Sequence, residues 1–271
     1  MTATLSALTL YPIKSTRGLQ VSRAVATAEG LAFDRRFMLA DEKGRMLTGR
    51  ALPKLVQVQA TPTPLGLLVT HAQMPPLQLD FAAFTGARCQ THVWKDHFSA
   101  FATHSDANHW FSTLLDRPCQ LLYAGTESPR FSESANTTVS FADGFPLLLL
   151  SEASLADLNA RCQQRHSMAQ FRPNLVVTNT AAFAEDSWSR IRVGEVELQL
   201  DCPCSRCIFV TRDADSGDFL PQREPLNTLA QFRKDQHGKI NFGMNVTVIK
   251  GGVLELGGEI EVLEHRVAET Y

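Results

Sequence analysis

Three of the six cysteines fall close together, in Asp201-Cys-Pro-Cys-Ser-Arg-Cys207, while Cys89, Cys119 and Cys162 stand far apart. A thiolate can bind a soft metal or attack an electrophile. A closed zinc site wants four ligands, and no second Cys-x-x-Cys or His-x3-His pair accompanies this segment. Iron–sulfur ligation by the protein alone needs a fourth cysteine in a spaced run, and none lies nearby. A redox role for Cys204-Ser-Arg-Cys207 would have the motif open a helix, whereas the following Ile208-Phe-Val-Thr211 reads as a strand. What remains is Cys207 as a single thiolate, with Arg206 beside it in sequence to favour the charged form. The competing reading, three buried small hydrophobes, is equally compatible with the spacing. The three separate cysteines read as packing residues.

A second group is basic. Tyr11-Pro-Ile-Lys-Ser15, Asp34-Arg-Arg-Phe37 and Phe171-Arg-Pro-Asn174 place cations where β segments begin or end, next to hydroxyl and amide groups. Lysine offers a point charge and arginine a two-pronged donor, so Lys14, Arg36 and Arg172 would together hold a phosphorylated cofactor. Singly, each reads as a solvated strand-end charge; only convergence decides. His92, His97, His104 and His109 form no i, i+4 pair and receive no role. Asp213 and Asp215 flank Ser216-Gly217, a turn composition. No G-x-G-x-x-G, P-loop or G-x-S-x-G occurs, which removes the commonest nucleotide and hydrolase readings.

The elements that must position these residues are mostly short strands. Alternation and turn signals predict strands at Thr4–Leu10, Ser22–Ala26, Arg36–Ala40, Leu55–Ala60, Gly66–Thr70, Leu77–Asp80 and Arg88–Val93. A helix follows, capped by Ser105 or Asp106, with Trp110, Phe111, Leu114 and Leu115 on one face and Pro118 as its stop. From Phe145 a buried strand leads into a helix with Ser151 as N-cap and Leu155, Leu158 and Cys162 on one face, which makes Cys162 a core thiol. Further strands are predicted at Asn174–Thr178, Arg192–Leu200, Cys207–Thr211, Met244–Lys250 and Glu259–Glu264, with a short helix after Pro225 running through Leu229 and Phe232.

The 271 residues suffice for one large or two ordinary domains, and 44% hydrophobic with 20% charged residues describes a chain that folds. Lys and Arg total 26 against 28 Asp and Glu, a formal charge of −2 with no basic stripe, which argues against an extended nucleic acid as ligand. No apolar run approaches the roughly 18 residues of a membrane span, and Met1–Tyr11 lacks the pattern of a secretory signal. The expected location is cytoplasmic, with no membrane contact and with reduced thiols.

Taken in order, several segments resemble a known family. Tyr11-Pro-Ile-Lys-Ser15, Asp34-Arg-Arg-Phe37, Leu150-Ser-Glu-Ala-Ser-Leu-Ala-Asp-Leu-Asn159, Phe171-Arg-Pro-Asn174, Ala184-Glu-Asp-Ser-Trp188, Cys204-Ser-Arg-Cys207-Ile208 and Arg223-Glu-Pro-Leu226 follow the order found in MOSC (molybdenum cofactor sulfurase C-terminal domain) proteins. The resemblance is to the group of YcbX and the mitochondrial amidoxime-reducing components, and it runs from residue 5 to about residue 265. It implies a mostly β fold with peripheral helices (α+β), an N-terminal MOSC β-barrel domain over residues 1–125 packed on a MOSC β-barrel domain over residues 126–271.

The same resemblance implies a molybdenum cofactor, Mo-molybdopterin, with Cys207 as the thiolate on molybdenum beside the pterin sulfurs. Lys14, Ser15, Arg36, Arg172, Asn174 and Ser205 then match the positions that contact the pterin and its phosphate; Cys204 would lie near the metal without binding it. The implied activity is reduction of N-hydroxylated compounds: N-hydroxylated nucleobases, hydroxylamines and amidoximes. YcbX-like proteins usually continue into a [2Fe–2S] ferredoxin domain with a C-x4-C-x2-C run that this sequence lacks. No iron–sulfur cluster is therefore expected in this chain, and electrons would come from a separate flavin or iron–sulfur protein, or from a missing C-terminal domain. A carrier of sulfur or molybdenum cofactor, with a persulfide on Cys207, is the alternative.

Overall fold

In the computed structural model, which describes residues 2–271, eight strands form the largest sheet. Their order is Leu19–Val21, Thr4–Leu10, Leu175–Thr178, Leu147–Ser151, Asn241–Lys250, Val196–Ser205, Trp188–Val193, Ile260–His265. Thus the first strand of the chain pairs with Leu175–Thr178, on the far side of the sequence. The inward residues Leu8, Leu149, Leu198, Leu200, Met244 and Val246 are fully buried in one apolar cluster, and each such side chain contributes roughly 1.5–3 kcal/mol of burial. Leu147–Ser151 and Leu175–Thr178 run parallel, as a pair bridged by a helical crossover must. Ser151 ends the first strand and caps the helix Glu152–Arg161, its hydroxyl accepting from Ser154 N, as the sequence predicts.

The first half adds a four-stranded sheet, ordered Phe37–Ala40, Gln120–Tyr123, Asp96–Ala102, Arg88–Val93, and a three-stranded one of Gln59–Thr63, Gly66–His71 and Met74–Asp80. The predicted helix is present at Ser105–Leu115 and buries Trp110, Phe111 and Leu114 against Leu39, Leu67 and Leu121. The expected fold class, mostly β with peripheral helices, is the observed one.

Two predicted strands are helical turns. Alternation predicts a strand over Leu55–Ala60, but Pro53 at the first helical position sets a 3-10 helix over Pro53–Gln57, and strand geometry resumes only at Gln59. The second case is Cys207–Thr211. There Ile208–Thr211 is a 3-10 helix with Cys207 as N-cap, closed by Val210 N donating to Cys207 O and Thr211 Oγ1 donating to Ile208 O. Local hydroxyl-to-carbonyl bonding outweighs the β-propensity of Ile-Phe-Val-Thr. The objection that Cys207 leads into a strand thereby falls. The helix after Pro225 spans Leu226–Leu229 and stops short of Phe232.

Candidate functional site

A cavity of about 330 Å³ opens where three stretches of the first half meet four of the second. Lys14 and Ser15, Arg35, and Thr48 with Arg50 line it from one side. Ala142–Phe145 with Leu147 and Leu148, Gln170–Arg172 with Asn174, Cys204–Cys207 with Phe209 and Val210, and Asn245 line it from the other. Five cations, Lys14, Arg35, Arg50, Arg172 and Arg206, face a single lining carboxylate, Asp143. Such a cavity attracts anions.

Cys207 is exposed on this cavity, where the eight-stranded sheet gives way to the 3-10 helix. Its thiol is not one of the buried packing sulfurs that the competing sequence reading requires. Sequence adjacency assigns Arg206 to Cys207, but Arg206 Nη1 lies 3.0 Å from Cys204 Sγ and its Nη2 donates to Phe171 O at 2.6 Å. The sequence neighbour therefore supports the other thiol. Ser205, the last residue of the Val196–Ser205 strand, is exposed beside them.

Arg172 ends the short helix Met168–Phe171 in the left-handed region, at φ 57°. Ser15 at φ 72° and Arg35 at φ 47° share that conformation, so three residues of the cavity lining hold backbone angles that side chains ordinarily avoid. The Arg172 guanidinium stacks on the Tyr11 ring at 4.1 Å and donates to Thr16 O at 2.7 Å. Arg35 covers the same ring at 4.3 Å. Among the described residues no carboxylate pairs with Arg172, and burial pulls its pKa from 12.5 to about 10.

Lys14 is buried, and its Nζ donates to Phe141 O at 2.6 Å and to Asp143 at 2.5 Å. Burial lowers its pKa, against the opposing pull of Asp143. For Asp143, burial would raise the pKa. The ion pair with Lys14, the Arg50 charge at 3.3 Å and the Trp94 indole N–H at 3.2 Å outweigh it and hold the carboxylate well below its usual range. Asn174 touches the cavity, yet its Oδ1 accepts from Arg35 and its Nδ2 donates to Thr9 O, so its amide serves to fix Arg35 and the first strand.

Of the residues singled out in the sequence, Lys14, Ser15, Arg172, Asn174, Ser205 and Cys207 meet around this cavity. Arg36 does not. Its guanidinium pairs with Glu29 and the Gly125 carbonyl, and it lines a different cavity with Phe33 and Tyr123. Arg35 takes its expected place: the turn at Arg35, with its positive φ, turns its side chain to this cavity, and Arg36, just ahead of the strand Phe37–Ala40, faces the other one. Sequence reasoning misses Arg50, Tyr11 and Asp143. Arg50 stacks on Trp94 at 4.2 Å and reaches the cavity from a turn that carries no sequence signal. Two donors of the cavity lining, Arg50 Nε and Arg206 Nε, are buried without a hydrogen-bond partner among the described residues. A larger cleft of about 960 Å³ adjoins through Gln170, Arg172 and Phe209.

Comparison with known proteins gives two family matches: residues 2–118 to the MOSC N-terminal beta barrel domain and residues 136–261 to the MOSC domain. Mitochondrial amidoxime-reducing component 1 of Mus musculus is 33% identical over 280 residues, covering 96% of this chain and 82% of that protein. The Homo sapiens protein of the same name is 33% identical over 279 residues, covering 96% of this chain and 81% of its own. Molybdenum cofactor sulfurase of Oryza sativa subsp. japonica is 30% identical over 89% of this chain, which spans only 32% of that protein.

Proposed function

Since the chain belongs to the MOSC family, in the two-domain form shared with the amidoxime-reducing components, we propose that it is a molybdenum-cofactor-dependent reductase of small N-hydroxylated compounds. The observation that carries the proposal is the exposed Cys207 thiol at the mouth of a cavity walled by cations from both halves of the chain.

The residues present suit the cofactor. An anionic pterin phosphate needs donors that are otherwise unmet, and the buried Nε groups of Arg50 and Arg206 are such donors. Among the described residues Arg172 has no carboxylate partner, and it gains most from an anion. Cys207 supplies the soft thiolate that molybdenum accepts. When bound, the molybdenum group supplies the two-electron exchange needed to cleave an N–O bond.

The protein's own contribution is to bind and orient. Tyr11 packs its ring against both Arg35 and Arg172 and so fixes the direction of both guanidinium groups. Asn174 fixes Arg35 from behind, and Asp143 restrains Lys14 and Arg50. The cations are thus set before any ligand arrives, which lowers the ordering cost of binding. Among the described residues no helix is long and apolar enough to cross a membrane. A separate electron-donor protein and a cytoplasmic setting belong to the same proposal.

The test is reduction of an amidoxime such as benzamidoxime by protein made in a molybdopterin-producing host, with a chemical reductant as electron source. Wild-type protein should turn over and Cys207→Ser should not. Equal turnover by the two would overturn the assignment of Cys207. Labile sulfane sulfur on metal-free protein would favour the carrier reading instead.

A further inference from the structure

Away from that cavity, Cys162, His166 and Glu224 each offer one ligand atom, and the three atoms lie within 4.8 Å of one another. None of the three lines the Cys207 cavity or the adjoining cleft. From their geometry we propose a second metal site, for Zn²⁺, held by the Cys162 thiolate, a ring nitrogen of His166 and the Glu224 carboxylate, with a fourth position left to water.

Three segments converge to make it. Cys162 is the C-cap of the helix Glu152–Arg161, with its N–H bonded to Leu158 O at 3.2 Å. His166 follows in a loop that Asn159 clamps through both backbone polar groups of one residue: His166 N donates to Asn159 Oδ1 at 2.7 Å, and Asn159 Nδ2 donates to His166 O at 3.0 Å. Glu224 precedes the helix Leu226–Leu229, where its carboxylate accepts from Thr228 N at 3.3 Å. Sequence spacing cannot show this constellation, because Glu224 comes from far along the chain.

The observation that points to a ligand is the histidine. His166 is only 4% exposed, yet its Nε2 is buried without a hydrogen-bond partner. Its other nitrogen has one contact, to Gln170 Nε2 at 3.4 Å, which is long for a hydrogen bond. A buried imidazole with an unmet nitrogen is costly unless something satisfies it. Beside it lie the two groups that, with imidazole, complete a zinc donor set.

The chemistry selects the metal. One thiolate, one imidazole and one carboxylate suit Zn²⁺ in tetrahedral coordination, whereas Mg²⁺ and Ca²⁺ want oxygen alone. Zinc bond lengths of roughly 2.0–2.3 Å put neighbouring ligand atoms about 3.5 Å apart, so the trio must close by on the order of 1 Å. Cys162 and Glu224 are half-buried rather than enclosed, which leaves them freedom to move and leaves water access to the fourth position. Underneath is the apolar cluster of Leu158, Phe171, Leu226, Leu229 and Phe242. A bound ion would tie the end of one helix to the start of another across that cluster.

The experiment uses the full chain, stripped with a chelator and titrated with Co²⁺ as a spectroscopic stand-in for zinc. Wild-type protein should develop the near-ultraviolet thiolate-to-cobalt band and saturate at one equivalent. The band should persist in a Cys204→Ser/Cys207→Ser double variant, since those thiols belong to the other site, and should vanish in Cys162→Ser. Zn²⁺ should raise the melting temperature of the wild type and of the double variant but not of Cys162→Ser, provided the metal-free Cys162→Ser melts cooperatively. Should it not, Glu224→Gln serves as the second variant, with at least a tenfold loss of Co²⁺ affinity expected. A wild type without the band, or a band that survives Cys162→Ser, overturns the site.

Discussion

If the proposed anionic cofactor binds here, replacing Arg172 with Met should weaken its retention, and the structure sets the size of the effect. The guanidinium is stacked on Tyr11 and bonded to one carbonyl, with no carboxylate to neutralise it, and its pKa falls from 12.5 to about 10. At 1.36 kcal/mol per tenfold change, keeping it charged at neutral pH costs on the order of 3 kcal/mol. Water reaching the partly open side chain reduces that to roughly 1–3 kcal/mol. An anion that pairs with it recovers much of this cost and adds a charge-assisted hydrogen bond, itself about 1.5–3 kcal/mol. The hydrogen bond alone sets a floor, so losing the cation should weaken binding by at least roughly 10- to 150-fold, at 1.4 kcal/mol per tenfold.

The assay is the molybdenum and pterin left on the protein after dialysis, followed over time against wild type. The control is Arg36→Met with Glu29→Gln. That pair of changes removes a cation that the sequence nominates without stranding its partner, and the structure places it on another cavity. Retention should fall in Arg172→Met and hold in the control. Unchanged retention in Arg172→Met, or a matching fall in the control, would refute the reasoning from cavity geometry.

Cys207→Ser should leave the melting temperature within about 2 °C of wild type, because exposed side chains away from special features usually change stability by no more than about 0.5 kcal/mol; a larger drop by calorimetry would mean that the sulfur is structural. Asp186→Ala should strand the buried Arg233, which it meets at 2.6 Å with both side chains nearly inaccessible. The cost should be about 3–5 kcal/mol, or roughly 6–20 °C in thermal melts, and a shift under about 3 °C would contradict the pair's burial. Burial raises the pKa of Glu185, so the native state holds its proton more tightly than the unfolded chain does. Wild type should lose stability relative to Glu185→Gln as pH rises from about 4.3 toward neutrality; parallel urea-denaturation curves across that range would show that Glu185 ionises freely.

Local chemistry is legible in the sequence where one residue determines it. Ser151 caps its helix because a serine hydroxyl ahead of Glu152-Ala-Ser154 can satisfy Ser154 N. The motifs nominate Lys14, Arg172 and Cys207 together, but spacing alone cannot bring them to one cavity, since that depends on the strand Thr4–Leu10 entering the sheet of the second half. The pairing joins residues 4 and 178, and no local pattern encodes it. Arg35 and Arg36 are sequence neighbours of like chemistry, and the turn at Arg35, with its positive φ, decides which of them faces the cavity. The segment after Cys207 misleads for a different reason: its β-branched residues suit a strand, while a threonine hydroxyl and a buried Val210 draw it into a helical turn.

The central claim is that Cys207 is the protein's bond to molybdenum. Its most direct measurement is X-ray absorption at the molybdenum edge on protein purified from a molybdopterin-producing host, alongside metal and pterin analysis. Molybdenum and pterin should each equal protein, with one fewer sulfur neighbour per metal in Cys207→Ser than in wild type. Metal-free wild-type protein, or the same sulfur count in both, would contradict it.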